Sequence, residues 1–329
     1  MTETDFTRAI NLANPRLGAS VTYATDDFFA DKSRLIDPAE PVFIDGKYDE
    51  NGKWMDGWES RRKRTPGHDF CIIKLGQAGV IQGVDIDTSH FTGNYPPGAM
   101  IEACVSDEDV PDEATEWSEL VAKTHLHGDS HHLIEVKNET PWTHLKLHIY
   151  PDGGVARLRV YGTFHRNWQA EDYALEHDLL AAGNGGVPIF ANDEHFGVLG
   201  NIMAPGRGIN MGDGWETRRR REPGNDWCVM ALGHAGEISK ILVDTAHFKG
   251  NYPSGVMLQA ALIEGGTEDL PALSKHWAEL MPKQTLSANA EHVFKDEVKA
   301  LGPISHIRMN IYPDGGISRL RLFGKLAKE

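Results

Sequence analysis

The sequence predicts an all-β protein, two antiparallel β-sandwiches in tandem, made by internal duplication. Three observations predict it. Residues 56–96 align without a gap on residues 213–253, and 24 of those 41 positions are identical. The block "IYPDGGVARLRVYG" at 149–162 returns as "IYPDGGISRLRLFG" at 311–324, with 10 of 14 positions identical. Within each copy the apolar runs are short, rich in β-branched and aromatic residues, and do not alternate with helices of comparable length.

The elements follow in order. At 329 residues the chain has room for two domains that each bury a core, and the expected division is 1–168 and 169–329. The boundary stretch "NWQAEDYALEHDLLAAGNGG" reads as a short helical connector ending in glycines. In the first copy "FCIIKLG", "GVIQGVDID", "AMIEACVS" and "HLKLHIYP" read as strands. Along the second of these, Val84 and Ile86 are expected inward and Asp85 and Asp87 outward. One amphipathic helix is expected around "EATEWSELVAK". "YPDGG" at Tyr150 and Tyr312 is hairpin chemistry, Pro fixing φ and Gly accepting positive φ. "ARLRVYG" alternates, so Arg157 and Arg159 share one face while Leu158 and Val160 fill the other.

Composition excludes several function classes. No apolar run approaches the roughly 20 residues a bilayer requires, so no membrane span is expected. The N-terminal stretch has acidic residues where a secretory signal would carry basic ones and lacks an apolar h-region, which argues against such a signal. Cys71, Cys104 and Cys228 are odd in number, and two of them sit in apolar runs. They read as buried thiols in a reducing cytoplasm. A net charge of −15 argues against nucleic acid as a partner.

The basic runs "RRKR" and "RRRR" suit a small anion instead. Arg61, Arg62, Arg218 and Arg219 recur while flanking residues drift, and a guanidinium fork that meets a carboxylate needs a fixed position. The other candidates lie in "DTSHFTGNYP" and its twin "DTAHFKGNYP". His90 and His247 suit general acid or base work, with Asp87 and Asp244 as orienting partners or metal ligands. The competing reading is a turn: Asp87 and Thr88 capping it, Gly93 and Asn94 supplying a left-handed bend. His132 and His292 also recur and read as structural.

The doubled set "GWESRR", "DTSHFTGNYP" and "YPDGG" resembles the allantoicase (allantoate amidinohydrolase) family over essentially the whole chain. The resemblance implies two tandem jelly-roll domains similar to galactose-binding-like sandwiches, assembly as a homo-oligomer, and conversion of allantoate and water to ureidoglycolate and urea. Allantoate carries one carboxylate and two planar ureido arms on a single carbon. The arginines suit the carboxylate; Asn94, Asn251, Glu59 and Glu216 suit the arms, with the two glutamates counted beside the His and Asp pairs as catalytic candidates. No cofactor is dictated, and a divalent metal on the Asp and His pairs is an open alternative. The competing function is a tandem sugar-binding module, although the repeated loops hold charged groups rather than aromatic platforms.

Overall fold

The computed structural model describes residues 6–263, 265 and 269–328. The first five residues of the N-terminal stretch lie outside that range. Among the described residues the chain divides into two compact units: 6–7 with 11–165, and 8–10 with 166–328.

In unit one the strands are β1 (Ile10–Asn11), β2 (Ser20–Ala24), β3 (Tyr48–Asp49), β4 (Gly52–Lys53), β5 (Trp58–Glu59) and β6 (Asp69–Asp87). They continue as β7 (Gly98–Cys104), β8 (Ser118–His125), β9 (His131–Glu135), β10 (Pro141–Tyr150), β11 (Gly154–Val155) and β12 (Arg157–Phe164). The main sheet runs β1-β12-β6-β10-β7-β8, with β2 and β9 also on β6. The 19-residue β6 belongs to both layers of a jelly-roll sandwich. Its first part, 69–74, lies between β2 and β10; its last part, 79–87, lies against β12 and β9. Ile73, Ile101 and Leu147 from one layer and Ile86 and Leu158 from the other are fully buried. Each such side chain stabilises the fold by roughly 1.5–3 kcal/mol.

Unit two repeats the plan with β13 (His177–Asp178), β14 (Val187–Ala191), β15 (Trp215–Glu216), β16 (Asp226–Asp244) and β17 (Gly255–Ala261). It closes with β18 (Ala278–Thr285), β19 (Glu291–Phe294), β20 (Ile304–Tyr312), β21 (Gly316–Ile317) and β22 (Arg319–Leu326). Its order is β13-β22-β16-β20-β17-β18, with β14 and β19 on β16. The fold is nearly all-β, and no helix among the described residues is long and apolar enough to cross a membrane.

The structure corrects two expectations. Of the segment expected as a helix, 113–117 are turn and irregular chain and the rest, from Ser118, is strand β8, paired with β7 through two register shifts. A bulge resets the side-chain alternation, so Val121 is buried without a strict two-residue period and the spacing imitates a helix. Asp85 and Asp87 occupy the face opposite Val84 and Ile86, yet they are buried, because Arg157 and Arg159 stand beside them on β12 and carry a loop across that face. The connector forms two 3-10 turns, Ala170–Ala174 and Ala182–Asn184, flanking β13. All three cysteines are buried and unpaired.

Candidate functional site

In both units the turn after the long strand is built the same way. The Asp87 carboxylate accepts the Ser89 N–H at 2.7 Å, and Asp244 accepts the Ala246 N–H at 2.8 Å. Both are Asx turns, as the competing reading expects. The left-handed residue, however, is neither Gly93 nor Asn94. It is the histidine: His90 has φ 69° and His247 has φ 71°. Histidine tolerates this region better than most side chains. Its N–H is fixed there, on Asp129 Oδ1 at 2.7 Å in unit one and on Asn289 Oδ1 at 2.8 Å in unit two. The next residue, Phe91 or Phe248, is fully buried and packs over Gly154 or Gly316, where a Cβ would come within 2.0 Å of the ring.

The imidazoles are aimed by the backbone. His90 Nε2 lies 3.2 Å from the Pro41 carbonyl, and His247 Nε2 lies 2.8 Å from the Gly208 carbonyl. A carbonyl only accepts, so the neutral ring carries its proton on Nε2 and keeps a lone pair on Nδ1. Neither Asp87 nor Asp244 bonds to its histidine. Asp244 takes Arg207 Nε at 3.0 Å, and Asp87 has His131 Nε2 at 3.9 Å.

Glu59 and Asn94 come together, with Asn94 Nδ2 donating to Glu59 Oε1 at 2.7 Å. Burial pushes the Glu59 carboxyl above the usual range, opposed in part by the Asn94 amide. In unit two Asn251 Nδ2 donates to Glu216 in the same way. Both carboxylates are held by two-residue strands, β5 on β11 and β15 on β21. The neighbouring tryptophans, Trp58 and Trp215, are fully buried and anchor these strands through Nε1 to the Asp26 and Asp193 carbonyls, 2.9 Å in each case. In unit two a shallow hollow of about 420 Å³ is lined by Asn210, Met211, His247, Lys249, Gly250 and Asn251. His247 and Asn251 thus line one space, and Glu216 reaches it only through its bond to Asn251.

The arginine forks meet carboxylates of the chain itself. Arg61 Nε and Nη2 both reach Asp26 Oδ2 at 2.7 Å, and Arg218 Nε reaches Asp193 Oδ2 at 2.8 Å. The other oxygen of each Asp takes the arginine's own N–H at 3.0 Å. Lys63 and Arg220 close on Asp69 and Asp226. Arg62 and Arg219 are exposed, and among the described residues they form no ion pair.

A family model for the allantoicase repeat matches residues 10–165 and again 177–327. The chain belongs to the allantoicase family. A probable allantoicase of Pseudomonas fluorescens (strain Pf-5) is 56% identical over 98% of this chain and 98% of its own length. One from Photobacterium profundum is 57% identical over 97% of each. The crystal structure of allantoicase from Saccharomyces cerevisiae is similar at a TM-score of 0.81 and 37% identity, covering 96% of this chain and 93% of that one.

In this allantoicase-family chain several supporting residues escape sequence reasoning. Arg157 and Arg319 are 1% exposed. Arg157 binds Asp56 Oδ2 at 2.8 Å and the Ala39 carbonyl at 2.9 Å; Arg319 binds Asp213 Oδ2 at 2.7 Å and the Gly206 carbonyl at 3.1 Å. Burial lowers the Arg319 guanidinium to about 10. These forks hold the loops whose carbonyls aim His90 and His247. The only sequence signal was the recurrence of "RLR". Asp129 and Asn289 gave less, since an Asp and an Asn do not align as identical. His132 and His292 are structural, each accepting a backbone N–H on Nε2 at 2.9 Å, from His127 and Ser287. Among the described residues no group of three or more His, Cys, Asp or Glu could hold a metal ion. The Asp and His pairs therefore do not form a ligand cluster.

Proposed function

We propose that the chain is a hydrolase that converts allantoate and water to ureidoglycolate and urea. The observation that carries this reading is the convergence of His247 and Asn251 on one hollow, with Asn251 backed by the buried Glu216. The volume suits a small, highly polar ligand. Full-length kinship with proteins named allantoicase supports the same reading.

The chemistry follows from the substrate. Allantoate holds two ureido nitrogens on one carbon. Protonation of one nitrogen lets urea leave as the C–N bond breaks, while the lone pair of the other forms a C=N⁺ bond. Water then adds its oxygen to that carbon and gives up a proton, restoring the remaining nitrogen. One proton is spent and one is recovered, so a single imidazole that enters the step protonated on Nδ1 gives that proton to the leaving nitrogen and takes one back from the water. The Asn251 Nδ2 is committed to Glu216, which leaves its amide oxygen to accept a ureido N–H; Asn94 on Glu59 is arranged alike.

The test is urea release from allantoate by the purified chain, with His90→Ala, His247→Ala and the double variant. Loss of about 10²-fold or more in the double variant is expected. Unchanged release in a double variant with native circular dichroism would remove the imidazole from the mechanism. Retention on a glycan column without urea release would favour the sugar-binding module.

A further inference from the structure

We propose that Lys249 is the cation that holds the substrate's carboxylate, and that it makes the two units unequal. The inference rests on the allantoate reading above. The substrate is an anion, so its site requires a positive group within reach of the histidine. The arginines that the sequence suggested do not line the hollow: Arg218 is bound to Asp193, and neither it nor Arg219 is among the lining residues. Lys249 is. It lies between His247 and Asn251 in the chain, is exposed, and makes no ion pair among the described residues. An ammonium on a flexible stem next to the catalytic imidazole and the ureido-binding amide completes the complement that the ligand needs.

Unit one lacks this group and is arranged differently around its histidine. The twin of Lys249 is Thr92, which brings no charge. The loop before β5 is also longer. From the end of the 3-10 turn at Ile36 to Trp58 there are 21 residues (37–57), against 11 (204–214) from Met203 to Trp215. The extra ten carry the β3–β4 hairpin, and nearby Phe43 lays its ring 6.0 Å from that of His90, with Lys53 Nζ 4.7 Å from the centroid of the same Phe43 ring. His247 has no such ring contact among the described residues. In unit one the turn itself thus brings no cation at Thr92, and the Lys53 ammonium is engaged with the Phe43 ring.

The experiment is steady-state urea release by the full chain. Lys249→Thr should raise KM for allantoate by roughly 10- to 100-fold, the range for loss of a charge-assisted hydrogen bond, with kcat within about twofold. Lys249→Arg should recover most of that affinity. Discrimination between allantoate and its neutral carboxamide should collapse in Lys249→Thr, an effect that a merely structural lysine would not produce. An unchanged KM in Lys249→Thr, or a KM rise in Arg219→Thr instead, overturns the assignment while the hydrolase reading stands. A wild-type chain that releases no urea from allantoate would defeat the hydrolase reading, and the assignment with it.

Discussion

Asp129 Oδ1 accepts the backbone N–H of His90 at 2.7 Å, and this bond holds a histidine at φ 69°. Asn289 does the same for His247. The acceptor is a side-chain oxygen that Asp and Asn share, which is why the two units use different residues for one task. The left-handed backbone costs about 1 kcal/mol or more and persists because the surroundings impose it. The turn that the sequence offered as an alternative to chemistry is thus the device that presents the imidazole.

The first prediction tests that acceptor. Asp129→Asn should leave the thermal transition of unit one within about 1 °C, because the Oδ1 remains. Asp129→Ala should lower it by about 2–4 °C, as expected for roughly 1 kcal/mol in a domain of this size. Scanning calorimetry separates the two. Equal damage from both substitutions would mean that the carboxylate charge, not the acceptor, matters.

Glu59 supplies the second. Its carboxyl is raised mainly by burial, so its favourable contribution is complete below the unfolded value of about 4.3 and is lost as pH rises through the folded one. Near neutrality the buried charge is a cost. Glu59→Gln keeps an oxygen for Asn94 Nδ2 and removes the charge. The melting temperature should rise by about 2 °C at pH 7.5, and the gain should shrink toward pH 4. A gain independent of pH would show that the substitution acts through packing.

The third concerns a hydrogen-bonded chain that exists in titratable form in one unit only. In unit one Glu102 Oε2 meets His148 Nε2 at 2.8 Å, and His148 Nδ1 meets His68 Nε2 at 2.8 Å. In unit two the same positions are Gln259, Asn310 and Asn225, joined at 3.1 and 3.4 Å. Burial is the main cause lowering both imidazoles. For His148 the Glu102 carboxylate opposes it; for His68 the Lys63 charge adds to it. A depressed base contributes stability that is full above the unfolded value of about 6.5 and is lost as pH falls below it. Unit one should therefore lose stability between pH 7 and pH 5. The variant His68→Asn, His148→Asn, Glu102→Gln, which imports unit two's residues, should flatten that loss by several degrees in thermal melts. Identical acid slopes in variant and wild type would dismiss the histidine pair as its source.

The duplication, the all-β class and the strand–turn grammar were legible in the sequence because they are local or repetitive. Twenty-four identities in 41 positions need no structure to be seen, and Pro-Asp-Gly-Gly encodes a bend, with Gly153 at φ 139° and Gly315 at φ 130°, but not the expected hairpin, because β10 and β11 pair with β6 and β5 and not with each other. The candidate histidines, Glu59, Glu216, Asn94 and Asn251 were legible as recurring polar residues. Their partners were not. The fork of Arg61 was expected to hold the substrate's carboxylate, and the carboxylate it meets in the structure is Asp26 of the same chain, 35 residues away. From Ser118 the stretch that reads as a helix becomes β8 because pairing with β7 outweighs local periodicity. What aims His90 is a carbonyl at Pro41, carried on a loop held by Arg157 and brought close only when the sandwich closes. Sequence by itself determined the duplication and which polar residues recur in both copies, but it put the left-handed bend on Gly93 and Asn94 where the structure puts it on the histidine. Tertiary structure alone decided which of them meet, because hydrogen bonds and ion pairs depend on distance in space, and β-pairing sets that distance between residues far apart in the chain.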